Sequence, residues 1–358
     1  MAIRRAFRPT LTDIARMANV SPATVSRALA RPELVNADTQ QRIQAVAQRL
    51  GYLPDGAGRA LASGLSHTVG VVVPTLDAAI FSQAIQGLQR ALVDAGYQLL
   101  VAAHDYSLAA EASAVRAMLA HRVDGLVLVG SDRAEETRGL LRAAKLPVVI
   151  IWSFDEEFDC IGFDNELAGR LAAEHLLTLG HRRIGMISGL TAQNDRARSR
   201  LRGVRAAMHD AGCDLPDWYV VERLFTLDGG RVGLSQLLAL DEPPSAIVCG
   251  NDLLAAGAIF EATARGISVP GQLSVIGIDN LDISSHLNPP LTTVHLPTGQ
   301  LGNAAAGHIL ARIAGKPVPP RQELPVALVV RASTAPFSAD RKSLSIPPRG
   351  KYIHPPDA

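Results

Sequence analysis

The chain has 358 residues, 47% of them apolar and 19% charged, which suits two or three packed domains and excludes a disordered or coiled-coil chain. No run approaches the ~18 consecutive apolar residues of a membrane span, and no apolar stretch follows the basic start MAIRRAFRPT, so neither a membrane segment nor a secretory signal is expected. The net charge of +1 conceals a basic head, since residues 1–65 hold nine Arg and no Lys against four acids, while residues 66–336 hold 22 basic and 28 acidic residues. An anionic partner for the head and a plain solvated face explain that excess equally well.

Residues 1–9 read as a disordered basic arm. Residues 10–55 then read as three short helices. Thr10 or Thr12 caps the first, and Leu11, Ile14, Ala15 and Ala18 share one face at i, i+3, i+4, i+7. Asn19-Val20-Ser21 breaks it. Ser21 caps a second helix with Pro22 at its first position, where a missing N–H costs nothing. Asn36 caps a third over about 37–50, and Gly51 stops it. Two helices joined by a three-residue break in a basic segment suggest a helix-turn-helix, whose second helix enters the major groove. Its outward residues are Pro22, Ala23, Thr24, Ser26, Arg27 and Ala30. Arg27 is the candidate base reader, because its fork can donate two hydrogen bonds to guanine; Ser21, Thr24 and Ser26 suit phosphates. The alternative is a structural three-helix bundle with a surface arginine.

Residues 56–66 form a glycine-bearing linker. Arg59, Ala60, Leu61 and Ala62 can form one or two helical turns if supported. Leu61 reads either as a wedge that enters the minor groove on DNA or as the anchor of a flexible tether, and composition favours the tether.

From about residue 68 short β-branched runs alternate with amphipathic stretches. Strands are expected at 69–73, 98–102, 125–129, 148–151, 183–187, 246–249 and 274–278, with helices such as 81–95, 111–120, 165–179, 196–211, 253–265 and 299–314 between them. That alternation gives an α/β body with parallel, doubly wound sheets in two lobes. The first lobe takes about 67–164 and 296–320, the second about 165–295 and 321–336, with crossings near 159–166 and 291–297. A small molecule would bind between the lobes, at the carboxyl ends of strands. Residues 337–358, polar and proline-rich, read as a disordered tail.

The search for catalytic motifs returns no P-loop, GxGxxG after a strand, HExxH, CxxC or GxSxG. Cys160, Cys213 and Cys249 lie too far apart for a paired-ligand zinc site and point to a reducing compartment. His175 and His181 read as helix-end or solvent residues, and Asp155, Glu156, Glu157 and Asp159 as a solvated acidic loop. In Asp195–Arg202 the arginines alternate, so only some of them can face a cleft. Asn251-Asp252 and Asp279-Asn280 follow strands, where they serve either as cleft residues or as helix caps.

Residues 10–35, TLTDIARMANVSPATVSRALARPELV, resemble the headpiece of the LacI/GalR family of bacterial repressors. The likeness continues through VAQRLGYLP (46–54), RAL (59–61), GVVVP (70–74), DGLVLVG (124–130), LGHRRIGMISG (179–189), CGNDLLAAGAI (249–259), GIDN (277–280) and PPLTTV (289–294). The resemblance implies a cytoplasmic, homodimeric, non-enzymatic repressor with a periplasmic-binding-protein-like core and no cofactor. Its partners would be a pseudo-palindromic duplex operator and a small effector, a sugar or sugar acid. By position, Thr10, Ser21, Pro22, Ala23, Thr24, Ser26, Arg27, Arg59 and Leu61 would meet DNA, and the family's minor-groove leucine falls on Leu61. Ile80, Phe81, Trp152, Arg200, Asn251 and Asp279 would hold effector. Pro22 and Ala23 stand where some members carry larger polar readers, which shifts readout toward Arg27 and DNA shape. Ala62 replaces a lysine found in certain members. A transporter's solute-binding protein and an α/β enzyme are the competing classes.

Overall fold

The computed structural model describes residues 9–30, 32–52, 64–77 and 79–338. Arg59 and Leu61 lie outside the described residues, as do nearly all of the amino-terminal arm and of the tail. Two compact units divide the chain near residue 68.

The first unit holds α1 (Leu11–Ala18), α2 (Pro22–Ala30) and α3 (Ala37–Leu50), with a 3-10 turn at Pro32–Leu34. Thr10 starts α1 through a reciprocal capping box: its hydroxyl accepts from Asp13 N, and its own N–H donates to Asp13 Oδ2 at 3.0 Å. Asn19 turns the chain in the left-handed region (φ 52°), Asn36 caps α3, and Gly51 ends it at φ 62°. Ile14, Ala15, Ala18, Val25, Ala28, Ile43 and Ala47 are buried together, the inward faces that the 3.6-residue period predicts.

The second unit contains two parallel-sheet lobes. In the first, β1 (Thr68–Val73), β2 (Gln98–Ala103), β3 (Gly125–Val129), β4 (Val148–Trp152), β5 (Asp159–Gly162) and β11 (Arg321–Glu323) order as β11-β5-β4-β3-β1-β2. In the second, β6 (Ile184–Gly189), β7 (Val220–Arg223), β8 (Ala246–Cys249), β9 (Ser274–Asp279), β10 (Thr292–His295) and β12 (Ala327–Val329) order as β12-β10-β9-β8-β6-β7. The two orders are the same pattern repeated, except that β11 runs parallel to β5 while β12 runs antiparallel to β10, so the second sheet is not wholly parallel as expected. Strands β3, β4 and β9 are buried along their whole length, as parallel strands covered on both faces must be.

Helices α4 (Ala79–Asp94), α5 (Leu108–Ala120), α6 (Glu135–Ala144) and α11 (Thr298–Ile313) cover the first sheet. Helices α7 (Asn165–Thr178), α8 (Asp195–Asp210), α9 (Leu227–Leu238) and α10 (Asp252–Ala264) cover the second. The chain leaves one lobe for the other after β5, after β10 and after β11, and α7 and α11 are the helices that complete the lobes they enter by packing on α8 and α4. Among the described residues no helix is long and apolar enough to cross a membrane.

The first two crossings lie within the expected spans 159–166 and 291–297, in the part that follows the paired strands 159–162 and 292–295. Several expectations need correction. Arg321–Glu323, placed in the second lobe from sequence, pairs in parallel with Asp159–Gly162 of the first. The acidic loop is not freely solvated. Asp155 accepts from Arg138 Nη2 at 2.7 Å, and Asp159 accepts from Arg312 and from His308 at 2.8 Å; these partners hold both carboxyls below their usual range despite burial. His181 is fully buried: its ring nitrogens lie 2.8 Å from Ser245 Oγ and 3.1 Å from Ser274 Oγ and Ala335 O. His175 is half-buried against Thr334, and burial lowers its pKa. The tail's first residue, Phe337, is anchored by its N–H to Leu179 O at 2.7 Å, with its ring 5.7 Å from that of His181.

Candidate functional site

In the headpiece, Ser21 sits just before α2. Its hydroxyl accepts from Thr24 N at 3.1 Å and shares a 2.8 Å hydrogen bond with Thr24 Oγ1. Local capping therefore occupies both hydroxyls in part. Pro22, Ala23, Ser26 and Arg27 are exposed along the start and outer face of α2, while Val25 and Ala28 turn inward. Arg27 is exposed and makes no hydrogen bond or ion pair with any described residue. Thr10, exposed beside α1, spends its hydroxyl on Asp13 at 2.7 Å.

In the body, a cavity of about 420 Å³ opens between the lobes. All six residues expected to hold effector line it. Ile80 and Phe81 stand in the first turn of α4, Trp152 ends β4, Arg200 is in the second turn of α8, Asn251 caps α10, and Asp279 ends β9. The carboxyl ends of the two sheets thus converge on one space. Trp152 (φ 72°) and Asp279 (φ 124°) occupy the same place in the repeated topology, and both hold a backbone conformation disfavoured for residues with a Cβ. Such strain concentrates where a side chain has to be aimed.

The walls are largely apolar. Phe81 meets Trp152 edge to face at 5.0 Å, and Leu190, Leu224, Phe225, Leu227 and Leu253 complete them. The polar groups are few and fixed. Arg200 is buried; its Nε donates to Asn165 Oδ1 at 3.1 Å and its Nη1 to Gly250 O at 2.6 Å. Asn165 in turn donates to Trp152 O at 2.9 Å, which ties the arginine to the aromatic wall. Arg200 Nη1 lies 3.6 Å from Asp279 Oδ1, a charge contact too long for a hydrogen bond, and Asp279 Oδ1 has no hydrogen-bond partner. Burial pushes the Asp279 carboxyl well up and Arg200 opposes the rise; burial also lowers the Arg200 pKa.

Asn251 is both a cap and a cleft residue, for its Oδ1 accepts from Leu254 N at 2.9 Å while the residue lines the cavity. Asp252 does not line it. Its carboxylate is buried, accepts from Thr293 Oγ1 at 2.6 Å, Ser284 Oγ at 2.5 Å and Leu281 N at 2.8 Å, and is pushed up to about 6 by burial. It pins the chain that follows Asp279. Asp252→Ala would leave three donors unanswered, and an equilibrium urea titration is expected to show a loss of about 3 kcal/mol.

The alternating arginines divide as their spacing requires. Arg196 and Arg200, four apart, are buried and line the cavity, whereas Arg198 and Arg202 pair with Asp132 and Glu166 outside it. Arg196 was not singled out from sequence, although i, i+4 spacing from Arg200 was the available signal. Asp77, Asp105, Tyr106, Asn194 and Phe225 were missed as well, because each sits in a loop or cap with no periodicity. Among the described residues no cluster of three or more His, Cys, Asp or Glu could hold a metal.

Comparisons with known proteins agree with this geometry. Residues 10–55 match the model for bacterial regulatory proteins of the lacI family, and residues 173–334 match a periplasmic binding protein-like domain. The HTH-type transcriptional regulator GntR of Pseudomonas aeruginosa is 37% identical over 318 residues, covering 88% of this chain and 92% of its own. The crystal structure of a lac repressor dimer bound to operator and the anti-inducer ONPF superposes with a TM-score of 0.83 at 29% identity, covering 92% of this chain and all of that one. A complex of the transcriptional regulator CelR with cellobiose gives a TM-score of 0.69 at 28% identity, over 91% of this chain and all of that one. A headpiece matching the lacI-family domain, two repeated α/β lobes around a cavity, and a relative of this identity along nearly the whole length lead to one conclusion: the chain belongs to the LacI family of bacterial regulatory proteins and is a DNA-binding transcriptional regulator.

Proposed function

We propose that the chain acts in the bacterial cytoplasm as a homodimeric repressor, without catalysis or cofactor, and that a carbohydrate or sugar acid in the body cavity sets its operator affinity. The observation that carries this reading is the meeting of Arg200, Asn251 and Asp279 with Phe81 and Trp152 in one cavity. Aromatic faces stack on a sugar ring, and a guanidinium with amide and carboxylate groups exchanges hydrogen bonds with hydroxyls. The named ligands of the two solved relatives, cellobiose and a lac repressor anti-inducer, point the same way.

On DNA, Arg27 reads a base in the major groove of each half-site. Ser21, Thr24 and Ser26 contact phosphates, Thr10 lies beside the DNA as the cap that sets the start of α1, Pro22 and Ala23 pack against the groove, and Arg59 and Leu61 enter the minor groove at the centre. A ligand that favours one lobe spacing then changes operator affinity by about 1–3 kcal/mol.

The test is a fluorescence-anisotropy titration of promoter fragments from the source genome, with and without a panel of sugars and sugar acids. Arg27→Ala is expected to weaken binding by about 1–3 kcal/mol and to relax preference at one base pair. Equal loss on operator and random duplex would refute the base-reading role. Failure of every fragment to bind would end the repressor reading, and turnover of a bound ligand would replace it with an enzyme.

A further inference from the structure

Helix α8 belongs to the second lobe but bonds to the first at two points, neither of which lines the cavity. Asp195, in its first turn, accepts from the Ser131 N–H at 3.2 Å and from the Ser131 hydroxyl at 3.0 Å. One turn on, Arg198 Nη2 donates to Asp132 Oδ1 at 2.5 Å, while its Nη1 is held within its own lobe by Thr191 O at 2.8 Å. The receiving loop, between β3 and α6, is braced from inside. Arg138 Nη2 donates to Ser131 O at 3.2 Å and to Asp155, and the fully enclosed Arg133 donates to Gly130 O at 2.8 Å. A braced loop transmits displacement instead of absorbing it.

Asp195 has a second task. Its other oxygen accepts from Arg196 Nη1 at 2.9 Å, and Arg196 is part of the cavity wall. Arg196 and Asp195 press on the loop closely enough that a Cβ at Gly130 would come within 1.9 Å of Arg196 Nη1 and 2.8 Å of Asp195 Oδ1. One carboxylate therefore touches the ligand-facing arginine and the opposite lobe together.

We propose that Asp195 and Arg198 form a strap between the lobes, with Asp195 the positioning residue through which the seat of the ligand senses closure. The strap acts outside the ligand's own contacts. Its loss lowers the closed fraction, so a ligand that prefers the closed body binds more weakly in proportion. That consequence rests on the effector reading above; the strap itself does not.

Hydrogen exchange followed by mass spectrometry on the full chain, without added ligand, tests it. Arg198→Gln and Asp132→Asn, both at partly exposed positions, are each expected to speed exchange about threefold in peptides spanning 130–134 and 190–198, and Asp195→Ala about tenfold. The β3–β4 and β6–β8 ladders are expected to exchange as in the wild type, with an unchanged melting temperature for the Arg198 and Asp132 variants. Because those two partners act on each other, the double variant should exchange no faster than either single one. Unchanged cleft peptides, or fully additive effects in the double variant, would overturn the strap. Fast cleft exchange in the variants, together with a wild type whose melting temperature no sugar or sugar acid shifts, would keep the strap and remove the effector reading.

Discussion

Gly169→Ala is expected to destabilise the body by about 3 kcal/mol and to blunt the effector response, although residue 169 does not line the cavity. Gly169 lies in α7 where α8 crosses it, and a Cβ there would stand 2.0 Å from Arg200 O and 2.8 Å from Arg200 C. The crossing is reciprocal, for a Cβ on Gly203 of α8 would stand 1.9 Å from Glu166 O of α7. Both obstacles are backbone, so no side chain can rotate away. One methyl therefore forces the helices about 1 Å apart, and α8 carries Arg196 and Arg200 on its cavity face. Displacing the guanidinium by that much breaks its hydrogen bonds to Asn165 and Gly250. Urea denaturation reads the first effect, and calorimetry with a ligand found in the sugar panel reads the second. Gly139→Ala in α6 is the control: a Cβ there meets nothing within 4 Å, and better helix propensity should add about 0.5–1 kcal/mol. A Gly169→Ala protein as stable as the wild type would mean that the close crossing does not place α8.

Much of this was legible in the residues. Continuous apolar runs such as Gly125–Val129 and Val148–Ile151 announce buried parallel strands, and they do lie at the centre of the first sheet. Ser21-Pro22 marks the start of α2, because one residue supplies an acceptor and the next needs no donor. Asn251 and Asp279 could be singled out because they follow strands, and a doubly wound sheet gathers those points; Ile80, Phe81, Trp152 and Arg200 came from the family resemblance alone. Short strands and one glycine-bearing helix were lost. Val220–Arg223 is half-buried and four residues long, Arg321–Glu323 is fully exposed, and Leu227–Leu238 carries three glycines that hide its helical character. The glycines of that helix are packing residues, since a Cβ on Gly230 would meet Leu254 O at 2.1 Å. His181 looked like a surface residue because its partners, Ser245 and Ser274, are distant in sequence and adjacent only once β8 and β9 pair. Long-range hydrogen bonds and backbone crossings leave no periodic trace in a single chain.

Arg200→Ala is expected to abolish the effector response, leave operator binding intact, and cost about 3 kcal/mol of stability. The deletion strips donors from Asn165 Oδ1 and Gly250 O and removes the cation nearest Asp279. Breaking a buried charge pair typically costs 3–5 kcal/mol, and the lower end applies here because Asp279, already pushed well up by burial, can take a proton. Arg200→Lys should not restore function, since a single ammonium on a flexible stem cannot span both acceptors as the planar guanidinium does. Asp279→Asn added to Arg200→Ala should recover part of the lost stability, because the double variant no longer buries an unpaired acid. Its effector response should stay absent, since the guanidinium at 200 and the carboxylate at 279 are then both gone from the cavity wall. Melting curves separate these outcomes from misfolding: an Arg200→Ala protein that melts with the wild type yet ignores effector places Arg200 at the ligand alone. One that melts early and is rescued by Asp279→Asn shows that the same pair also braces α8 against the end of β9.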